Sequence, residues 1–554
     1  MNLHSTLALS LAGLWALAPS TVAKETFMVP MSDGVKLATD VHYPPFGKGP
    51  WPAMLLRTPY NKNLEFLGPL WRLSGYATVV QDTRGRFASG GFDRVFIDDG
   101  WGLPPWVGPG DHYRPGRDGY DTVEWIREQS WCDGRIGTTG ASALGITQNF
   151  LAGTRGNRVD AQCVKVAATE AYFQSTFQGG AFREELVEMW LAFQDAEHML
   201  GFYEDHPTYD NLWKWMSLNR RVRLVEQPAL HIGGWYDIYS RGTLDGFSLR
   251  QEQGGEGARG NQKLIMGPWT HYVGDQSPGE LAYPNSGFAG AYELIGSEGD
   301  WFEYWLKGIP NGVMELSAGA FYQMGPAEAE GPWNEWRAIE RWPPPHEPTS
   351  LYLTGAGELS WLEPSAVASS SSYLYDPENP VPTIGGANLF IEMGPMDQRS
   401  VESRDDVVLF RTELLAAPVE VAGPVHVDLW IESDGPDTDF TAKLVDVYPD
   451  GRSMLVCDGI LRARYRSGFE SEDFLVPGER VSIRVDLWDT AITFGAGHRI
   501  GLDISSSNWP RFDVNPNTGE PVRRHTSTRV ATNTLHHDAL YLSRLVLPVA
   551  TENP

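Results

Sequence analysis

The stretch Arg135–Gly145 constrains the fold of this 554-residue chain more than any other. It reads Arg-Ile-Gly-Thr-Thr-Gly-Ala-Ser-Ala-Leu-Gly, so a β-branched run leads into a glycine-bracketed serine and then into a segment of helical composition. This pattern predicts a buried strand, a sharp turn at Ser142 and a helix from Ala143 onward. A serine on such a turn has its hydroxyl above the sheet with backbone N–H groups nearby, which suits acyl transfer. The alternative is an ordinary strand-to-helix turn with a solvated serine.

Length and composition indicate a globular protein of two or three domains. A chain of 554 residues is too long for one core, and 42% of its residues are hydrophobic. The net charge of −27 argues against nucleic acid and anionic membranes as partners, because both bind basic surfaces. The cysteines are Cys132, Cys163 and Cys457, and their spacing fits neither a disulfide framework nor a zinc site. We therefore expect no metal and no cofactor, while a Cys132–Cys163 bridge stays open beside free thiols.

The first residues have the pattern of an export signal. Leu7–Ala18 is an apolar run, Pro19 breaks it, and Thr21-Val22-Ala23 offers small residues for cleavage before Lys24. The run is too short to span a bilayer as a mature helix, and no Lys or Arg precedes it. We predict a signal peptide over residues 1–23, no membrane association of the mature form, and a periplasmic or secreted location.

Two kinds of periodicity divide the rest of the chain. Over 24–169 and 226–341, continuous apolar runs alternate with helical segments, which predicts an α/β domain with a largely parallel sheet. Residues 170–225, called the cap below, interrupt this alternation and are expected to cover a substrate cleft. After the Trp342–Pro345 run, about eight short strands separated by turns predict an all-β jelly roll over 346–554.

Two segments bear on the expected cleft. Within the cap, an aromatic-rich pattern predicts helices over Phe182–Leu200 and Tyr209–Leu218. The alternative is that these are additional core helices. Ser89–Gly119 is irregular, rich in Gly, Pro and Asp, and placed where an active-site loop would lie.

Three residues suited to nucleophilic catalysis follow predicted strands. Ser142 comes first, Pro228–Asp237 ends in an acid, and Lys263–His271 ends in a histidine. The order Ser, Asp, His is that of an α/β-hydrolase. In such a triad the histidine takes the proton of the serine, and the aspartate holds the imidazole. Taken singly, His271 could be a structural histidine and Asp237 a helix cap, but their order favours the triad.

The oxyanion of acyl transfer needs two hydrogen-bond donors. The backbone N–H of Ala143, next to the predicted nucleophile, is the first. The second is expected from the loop Thr58–Lys62, where the Tyr60 hydroxyl could reach or could instead pack under the cap.

A set of motifs spans nearly the whole mature chain. They are Thr58–Tyr60, Gln81–Arg86, Tyr120–Ile126, Trp131–Gly134, Gly140–Gly145, Gly233–Asp237, Gly267–His271, Pro436–Phe440 and Ser505–Phe512. In this combination the chain resembles the cocaine esterase-like hydrolases, which are relatives of α-amino acid ester hydrolases, glutaryl-cephalosporanic acid acylases and X-Pro dipeptidyl-peptidases. The glycine at 145, one place later than in the usual G-x-S-x-G, is that family's own variant.

The resemblance implies an α/β-hydrolase domain, a helical cap and a C-terminal jelly roll. It also implies the triad Ser142, Asp237 and His271, with an oxyanion hole formed by the Tyr60 hydroxyl and the Ala143 amide. Ala143 stands where the family often has tyrosine, which predicts a wider pocket. Ile238–Ser240 follow the aspartate where α-amino acid ester hydrolases carry acids for a substrate ammonium, so the chain looks closest to the esterases.

We therefore predict a serine hydrolase that cleaves a small-molecule ester, or an amide, through an acyl-enzyme intermediate. Candidate acyl-pocket aromatics, which could equally be core residues, are Trp190, Phe193, Trp213 and Trp235. A second interpretation is an amidase, acylase or aminopeptidase-like hydrolase of peptides or β-lactam side chains, in which Arg183 or Arg241 anchors a carboxylate unless these residues have surface or ion-pair roles. A third, from another class, is a carbohydrate-binding jelly-roll protein with a degenerate hydrolase domain. The oligomeric state stays open.

Overall fold

The structure is a computed structural model that describes residues 24–64, 69–101, 116–328, 330–521 and 523–551. The predicted signal peptide at 1–23 lies outside the described residues, as does part of the predicted loop Ser89–Gly119.

The strands of the α/β part and of the cap come first along the chain. They are β1 (Lys24–Pro30), β2 (Lys36–His42), β3 (Trp51–Thr58), β4 (Ala77–Asp82), β5 (Cys132–Ala141), β6 (Ala161–Lys165), β7 (Phe177–Gln178), β8 (Ala181–Phe182), β9 (Ala229–Gly234), β10 (Gln262–Gly267), β11 (Gly319–Gln323) and β12 (Glu335–Ile339). The helices are α1 (Pro69–Arg72), α2 (Asp118–Arg127), α3 (Ala143–Ala152), α4 (Glu184–Phe193), α5 (Leu200–Glu204), α6 (Asn211–Trp215), α7 (Ser240–Gln253), α8 (Phe288–Ile295) and α9 (Glu298–Lys307).

Within the described residues, a ten-stranded sheet has the order β1-β2-β4-β3-β5-β6-β9-β10-β11-β12. The seven strands from β4 to β11 in this order are parallel, while β1, β2 and β12 pair antiparallel at the edges. The central strands are buried along most of their length, as expected for a sheet covered on both faces. β5, which leads to Ser142, is a central strand between β3 and β6, so the sheet holds the turn at Ser142 rigidly.

The cap lies between β6 and β9 and contains the hairpin β7–β8 and helices α4 to α6. The predicted helix Phe182–Leu200 is wrong in its extent, because α4 ends at Phe193 and a short 3₁₀ turn over Glu197–Met199 precedes α5. Asp195 breaks it by adopting a left-handed φ of 49°, a conformation that ends helices. The second predicted helix is shorter than expected: α6 begins after Asp210, whose side chain caps it.

The C-terminal part is all-β apart from short helical turns. Its elements are β13 (His346–Thr354), β14 (Glu358–Ser360), β15 (Ser370–Tyr375), α10 (Arg399–Glu402), β16 (Val408–Arg411), β17 (Val419–Ser433), β18 (Asp439–Val447), β19 (Ser453–Arg462), β20 (Val481–Phe494), β21 (Arg499–Ser505), β22 (Ala531–His536) and β23 (Arg544–Ala550). In the described part of the chain these eleven strands form one sheet, which builds the jelly-roll domain: ten of them follow one hydrogen-bonded path, and β20 lies off that path and pairs with β17. The sequence pattern missed β14, β15 and β22.

The α/β and all-β domains share one hydrophobic core. Residues after β9, such as Trp235 and Tyr236, belong to the same buried cluster as Phe410, Val427 and Leu545. Trp342, from the proline-rich boundary run, is also in this cluster and is 5% exposed. The boundary is therefore a buried junction, and the two domains pack as one body.

Cys132, Cys163 and Cys457 are free thiols. Cys163 on β6 pairs with Thr139 on β5, and Cys132 lies seven positions before Thr139 on the same strand. At about 3.3 Å per residue this separation is roughly 23 Å, far beyond the reach of a disulfide. Among the residues described, no helix is both long and apolar enough to cross a membrane.

Candidate active site

Ser142 occupies a strained turn between β5 and α3. Its φ of 60° and ψ of −126° are unfavourable for a residue with a side chain, and such strain marks functional turns. Its amide donates to the Lys165 carbonyl on β6 at 3.0 Å, and its carbonyl accepts from the amides of Gly145 and Ile146. The turn is thus fixed on both sides, and Ala143 becomes the first residue of α3, where free N–H groups create a positive end.

The glycines of this turn are required by close packing. A Cβ on Gly140, which has a φ of 147°, would lie 2.4 Å from the Leu144 Cβ. A Cβ on Gly145 would lie 2.6 Å from the Ala167 Cβ and 3.0 Å from the Lys165 carbonyl oxygen. The later position of the second glycine therefore allows α3 to approach the end of β6.

Asp237 and His271 meet at the carboxyl ends of β9 and β10. Nδ1 of His271 donates to Oδ1 of Asp237 over 2.7 Å. The Asp237 side chain is 0% exposed and that of His271 is 9% exposed, so the pair is shielded from water. The ring of Tyr239 lies edge-on to the imidazole, with 5.9 Å between the centroids. The arrangement leaves Nε2 of His271 as the ring nitrogen free for proton transfer.

The Tyr60 hydroxyl converges on the Ser142 turn. Tyr60 follows β3, and its hydroxyl accepts a hydrogen bond of 3.0 Å from Nε1 of Trp190 in α4. The Ser142 side chain and the Ala143 amide lie close enough to the same hydroxyl to lower its pKa. Burial raises the pKa of the Tyr60 phenol, so the hydroxyl keeps its proton and can donate it to an acceptor. Tyr60 therefore lies between the cap helix α4 and the Ser142 turn.

A cavity of about 60 Å³ lies beside Ser142 and is called the acyl cavity below. Its apolar wall includes Ala143 and Ile146 from α3, and Leu186 and Trp190 from α4. The wall also includes Val95 and Phe96, so the irregular segment Ser89–Gly119 does reach the cleft. Phe96 stacks on Trp190, with 5.7 Å between ring centroids.

The four predicted pocket aromatics have different positions. Trp190 lines the acyl cavity, whereas Phe193 is not one of its lining residues and is half exposed, with its ring centroid 6.4 Å from that of Tyr60. The prediction for Trp213 is wrong: it is fully buried in the cap core, stacks on Tyr203, and donates to the His206 carbonyl.

The prediction for Trp235 is also wrong. Trp235 lies in the core between the domains, donates to the Tyr322 carbonyl at 2.9 Å, and packs against Trp342 with 5.1 Å between ring centroids. Its neighbour Trp342 comes from the distant boundary run, which a local pattern cannot reveal.

Neither candidate anchor arginine reaches the acyl cavity. Arg241 pairs with Asp486 at 2.9 Å, an ion-pair role. Arg183 is 1% exposed and donates to the backbone carbonyls of Gln174 and Ile238, so it has neither a surface nor an ion-pair role. Burial lowers the pKa of its guanidinium to about 10. Because Ile238 follows Asp237, Arg183 braces the loop that carries the aspartate.

Glu170 and Tyr239 were missed by the sequence reasoning. Both line the acyl cavity, and Glu170 is its only carboxyl side chain among the described residues. The signal for Glu170 was an acid in the otherwise small and apolar segment that follows β6. No group of three or more His, Cys, Asp or Glu side chains in the described ranges could hold a metal ion.

Two families match the chain over most of its length. Residues 33–201 and 184–273 match the X-Pro dipeptidyl-peptidase (S15) family, and residues 311–546 match the X-Pro dipeptidyl-peptidase C-terminal non-catalytic domain. The match to the C-terminal non-catalytic domain begins before β11 and β12. In this structure those two strands nevertheless belong to the ten-stranded sheet of the α/β domain.

Similar proteins include esterases and an aminopeptidase. The cocaine esterase of Rhodococcus sp. (strain MB1 Bresler) is 34% identical, over 94% of this chain and 97% of the relative. The aminopeptidase from a marine sediment Thaumarchaeota archaeon has a TM-score of 0.83 and 25% identity, covering 97% of this chain and 98% of its own. An α-amino acid ester hydrolase has a TM-score of 0.79 and 23% identity, covering 98% of this chain and 100% of its own, and so shares the fold. The chain belongs to the cocaine esterase-like serine hydrolases, within the X-Pro dipeptidyl-peptidase (S15) family.

Proposed function

We propose that the protein is a serine esterase that cleaves small carboxylic esters through an acyl-enzyme formed on Ser142. The convergence of the Tyr60 hydroxyl, the Ala143 amide and the Ser142 side chain carries this proposal. The buried Asp237–His271 pair supports it, because an oriented imidazole is the base that a serine nucleophile needs.

In the acylation step, Nε2 of His271 takes the proton of the Ser142 hydroxyl while the oxygen attacks the ester carbonyl. The carbonyl π electrons move to the oxygen, which the Tyr60 hydroxyl and the Ala143 amide stabilise. Collapse of this intermediate breaks the bond to the alkoxide, which takes the proton from His271 and leaves as an alcohol. Asp237 holds the imidazole tautomer and stabilises the imidazolium in between.

In the deacylation step, water takes the place of the leaving alcohol. His271 removes one proton from the water, whose oxygen attacks the acyl carbonyl. Ser142 then leaves with that proton and the carboxylic acid is released, which restores the starting state.

Ester hydrolysis by matched serine variants tests the proposal. We expect Ser142→Ala to lower kcat/KM for p-nitrophenyl acetate by about 10⁴-fold or more. Ser175→Ala is the control, since Ser175 lines the same cavity, and we expect it to retain activity within about tenfold. Comparable activity of Ser142→Ala and wild type would overturn the nucleophile assignment.

Amide hydrolysis is a second candidate, because the S15 match and the archaeal aminopeptidase are peptidases. Esters are favoured over amides as substrates because the cocaine esterase shares more of this sequence. Comparing kcat/KM for p-nitrophenyl acetate with that for alanine p-nitroanilide separates the two, and a higher value for the anilide would favour the peptidase.

We further propose that the protein is exported and cleaved before Lys24. The apolar run Leu7–Ala18 and the small residues up to Ala23 support this. N-terminal sequencing of the protein from cells tests it. A sequence starting Lys-Glu-Thr is expected, and an intact Met1 in the mature fraction would contradict export by this route.

A further inference from the structure

Two cavities meet at Glu170. One is the acyl cavity of about 60 Å³ beside Ser142. The other is about 730 Å³, lies between the cap and the all-β domain, and is called the junction cavity below. Of the residues that the structure describes, Glu170 alone lines both. It therefore forms the partition between them.

The junction cavity differs in character from the acyl cavity. Phe173 and Tyr209 of the cap face Phe469 and Trp488 of the all-β domain across it. An acyl chain that extended from the acyl cavity past Glu170 would therefore enter a larger cavity with an aromatic lining.

Glu170 is held firmly in this position. Its Oε1 accepts from the Phe173 amide at 2.6 Å, and its backbone forms a β-bridge with Ser217. Oε1 of Gln174 accepts from the amides of Thr169 and Glu170 at 2.8 and 3.2 Å. The side chain is closed in by these contacts, since Glu170 is 4% exposed. The partition is a fixed wall of the acyl cavity.

The partition is also uncharged near neutral pH. Burial raises the pKa of the Glu170 carboxyl to about 8, against an ordinary value of 4.5. A neutral carboxylic acid can lie beside an aliphatic chain without a desolvated charge.

We propose that Glu170 sets acyl-chain selectivity by closing the acyl cavity, so that the enzyme takes short aliphatic acyl groups. The acyl cavity of about 60 Å³ is less than half the roughly 150 Å³ that accommodates benzene. Short acyl groups such as acetyl and butyryl therefore fit, whereas octanoyl and benzoyl groups need the wall removed. This inference rests on the proposed function, since it takes the cavity beside Ser142 to hold the acyl group.

Acyl-chain profiles of purified variants test the partition. The assay measures kcat/KM for p-nitrophenyl acetate, butyrate, octanoate and benzoate. In Glu170→Ala we expect the octanoate-to-acetate ratio to rise about tenfold or more, because two or more extra methylenes become buried. Glu170→Asp shortens the wall by one methylene and is expected to raise the ratio less.

Asp245→Ala is the matched control. Asp245 is a half-buried acid that lines the junction cavity and not the acyl cavity, so its removal is expected to leave the ratio at the wild-type value. Should Glu170→Ala fail to fold, Glu170→Asp carries the test. A wild-type ratio in every folded Glu170 variant, or an equal rise in Asp245→Ala, would overturn the partition.

A fluorophosphonate probe separates this failure from failure of the proposed function. Wild type that is labelled at Ser142 but shows no change in ratio on substitution of Glu170 refutes the partition alone. Wild type that is neither labelled nor active refutes the esterase proposal itself.

Discussion

The acyl cavity and the junction cavity are built in opposite ways. The acyl cavity is formed around one local motif, the turn at Ser142 and the start of α3, with α4 laid over it. The junction cavity is formed where the cap meets strands that follow it by more than 200 residues in the chain. The first depends on hydrogen bonds at a strained turn, and the second on packing between the cap and the all-β domain, whose nearby strands hold the buried ion pairs of Arg462. Substitutions around the first should therefore change the rate, whereas those around the second should change stability.

The largest effect is expected at the Asp237–His271 pair. His271→Ala should lower kcat/KM for a p-nitrophenyl ester by about 10⁴-fold, because the general base is lost. The unfolding temperature should fall less than in Arg462→Met below, since one buried carboxylate, Asp237, loses a partner instead of two. Calorimetry and steady-state kinetics on the same preparation measure both. A large loss of stability with unchanged kinetics would contradict the expectation that substitutions around the acyl cavity change the rate and those around the junction cavity change stability.

The opposite outcome is expected at Arg462, near the junction cavity. Arg462 lies between Asp439 and Asp513, with N···O distances of 2.9 and 3.0 Å, and its amide donates to the Gly179 carbonyl of the cap hairpin. Arg462→Met would leave two buried carboxylates without their cation, at a cost of about 3–5 kcal/mol of unfolding free energy. Urea unfolding measures this cost. We expect kcat/KM of the folded fraction to change less than about fivefold, and a loss like that of His271→Ala would contradict the account.

Tyr60→Phe removes one of the two proposed hydrogen-bond donors to the oxyanion, next to the acyl cavity. We expect kcat to fall by about 10²–10³-fold, because one donor of an oxyanion hole is typically worth that much. KM should change little, since the hydroxyl acts on charge that develops in the transition state. An unchanged kcat would assign Tyr60 to packing alone.

The two cap tryptophans offer a smaller, paired comparison. Trp190 donates to the Tyr60 hydroxyl, whereas Trp213 donates to a backbone carbonyl in the cap core. Trp190→Phe should lower kcat by about tenfold through loss of that hydrogen bond. Trp213→Phe should lower the unfolding temperature and leave kcat within about threefold of wild type. Kinetics and calorimetry that gave the reverse pattern would restore Trp213 to the substrate pocket.

A pH dependence of stability is expected at Glu170. The folded-state pKa is about 8, above the ordinary 4.5, so between these values the folded protein keeps a proton that the unfolded chain has lost. The stability contribution of Glu170 is full below pH 4.5 and is lost as the pH rises to 8. Glu170→Gln does not titrate, so the unfolding temperature of wild type should fall relative to this variant between pH 5 and 8, by several degrees. A constant difference across this range would contradict the raised pKa.

Local sequence patterns predicted the elements around the acyl cavity well, because each of those elements is formed by a short continuous stretch of the chain. The strand before Ser142, the helix after it and the positions of Asp237 and His271 beyond β9 and β10 all follow from periodicity and turn chemistry. The α/β and jelly-roll fold class and the family are likewise confirmed. Tyr60 needed the family resemblance, since no spacing rule places its hydroxyl at the turn.

Long-range packing explains what the sequence could not show. Trp213 and Trp235 are as aromatic as Trp190, and only tertiary neighbours decide which of them line the cleft. The edge strand β15 reads Ser-Ser-Ser-Tyr-Leu-Tyr and pairs with the equally polar β22, so neither has an apolar run. The last predicted strand, Leu540–Val546, is displaced to β23 because pairing with β13 and β17 sets its register.

Ser142 is the proposed nucleophile of this hydrolase. Mass spectrometry of proteolytic peptides after treatment with a fluorophosphonate tests it most directly. We predict a single stoichiometric adduct on Ser142, with loss of esterase activity in proportion to labelling and no adduct in Ser142→Ala. An adduct on a different residue, or full activity in protein labelled at Ser142, would contradict the account.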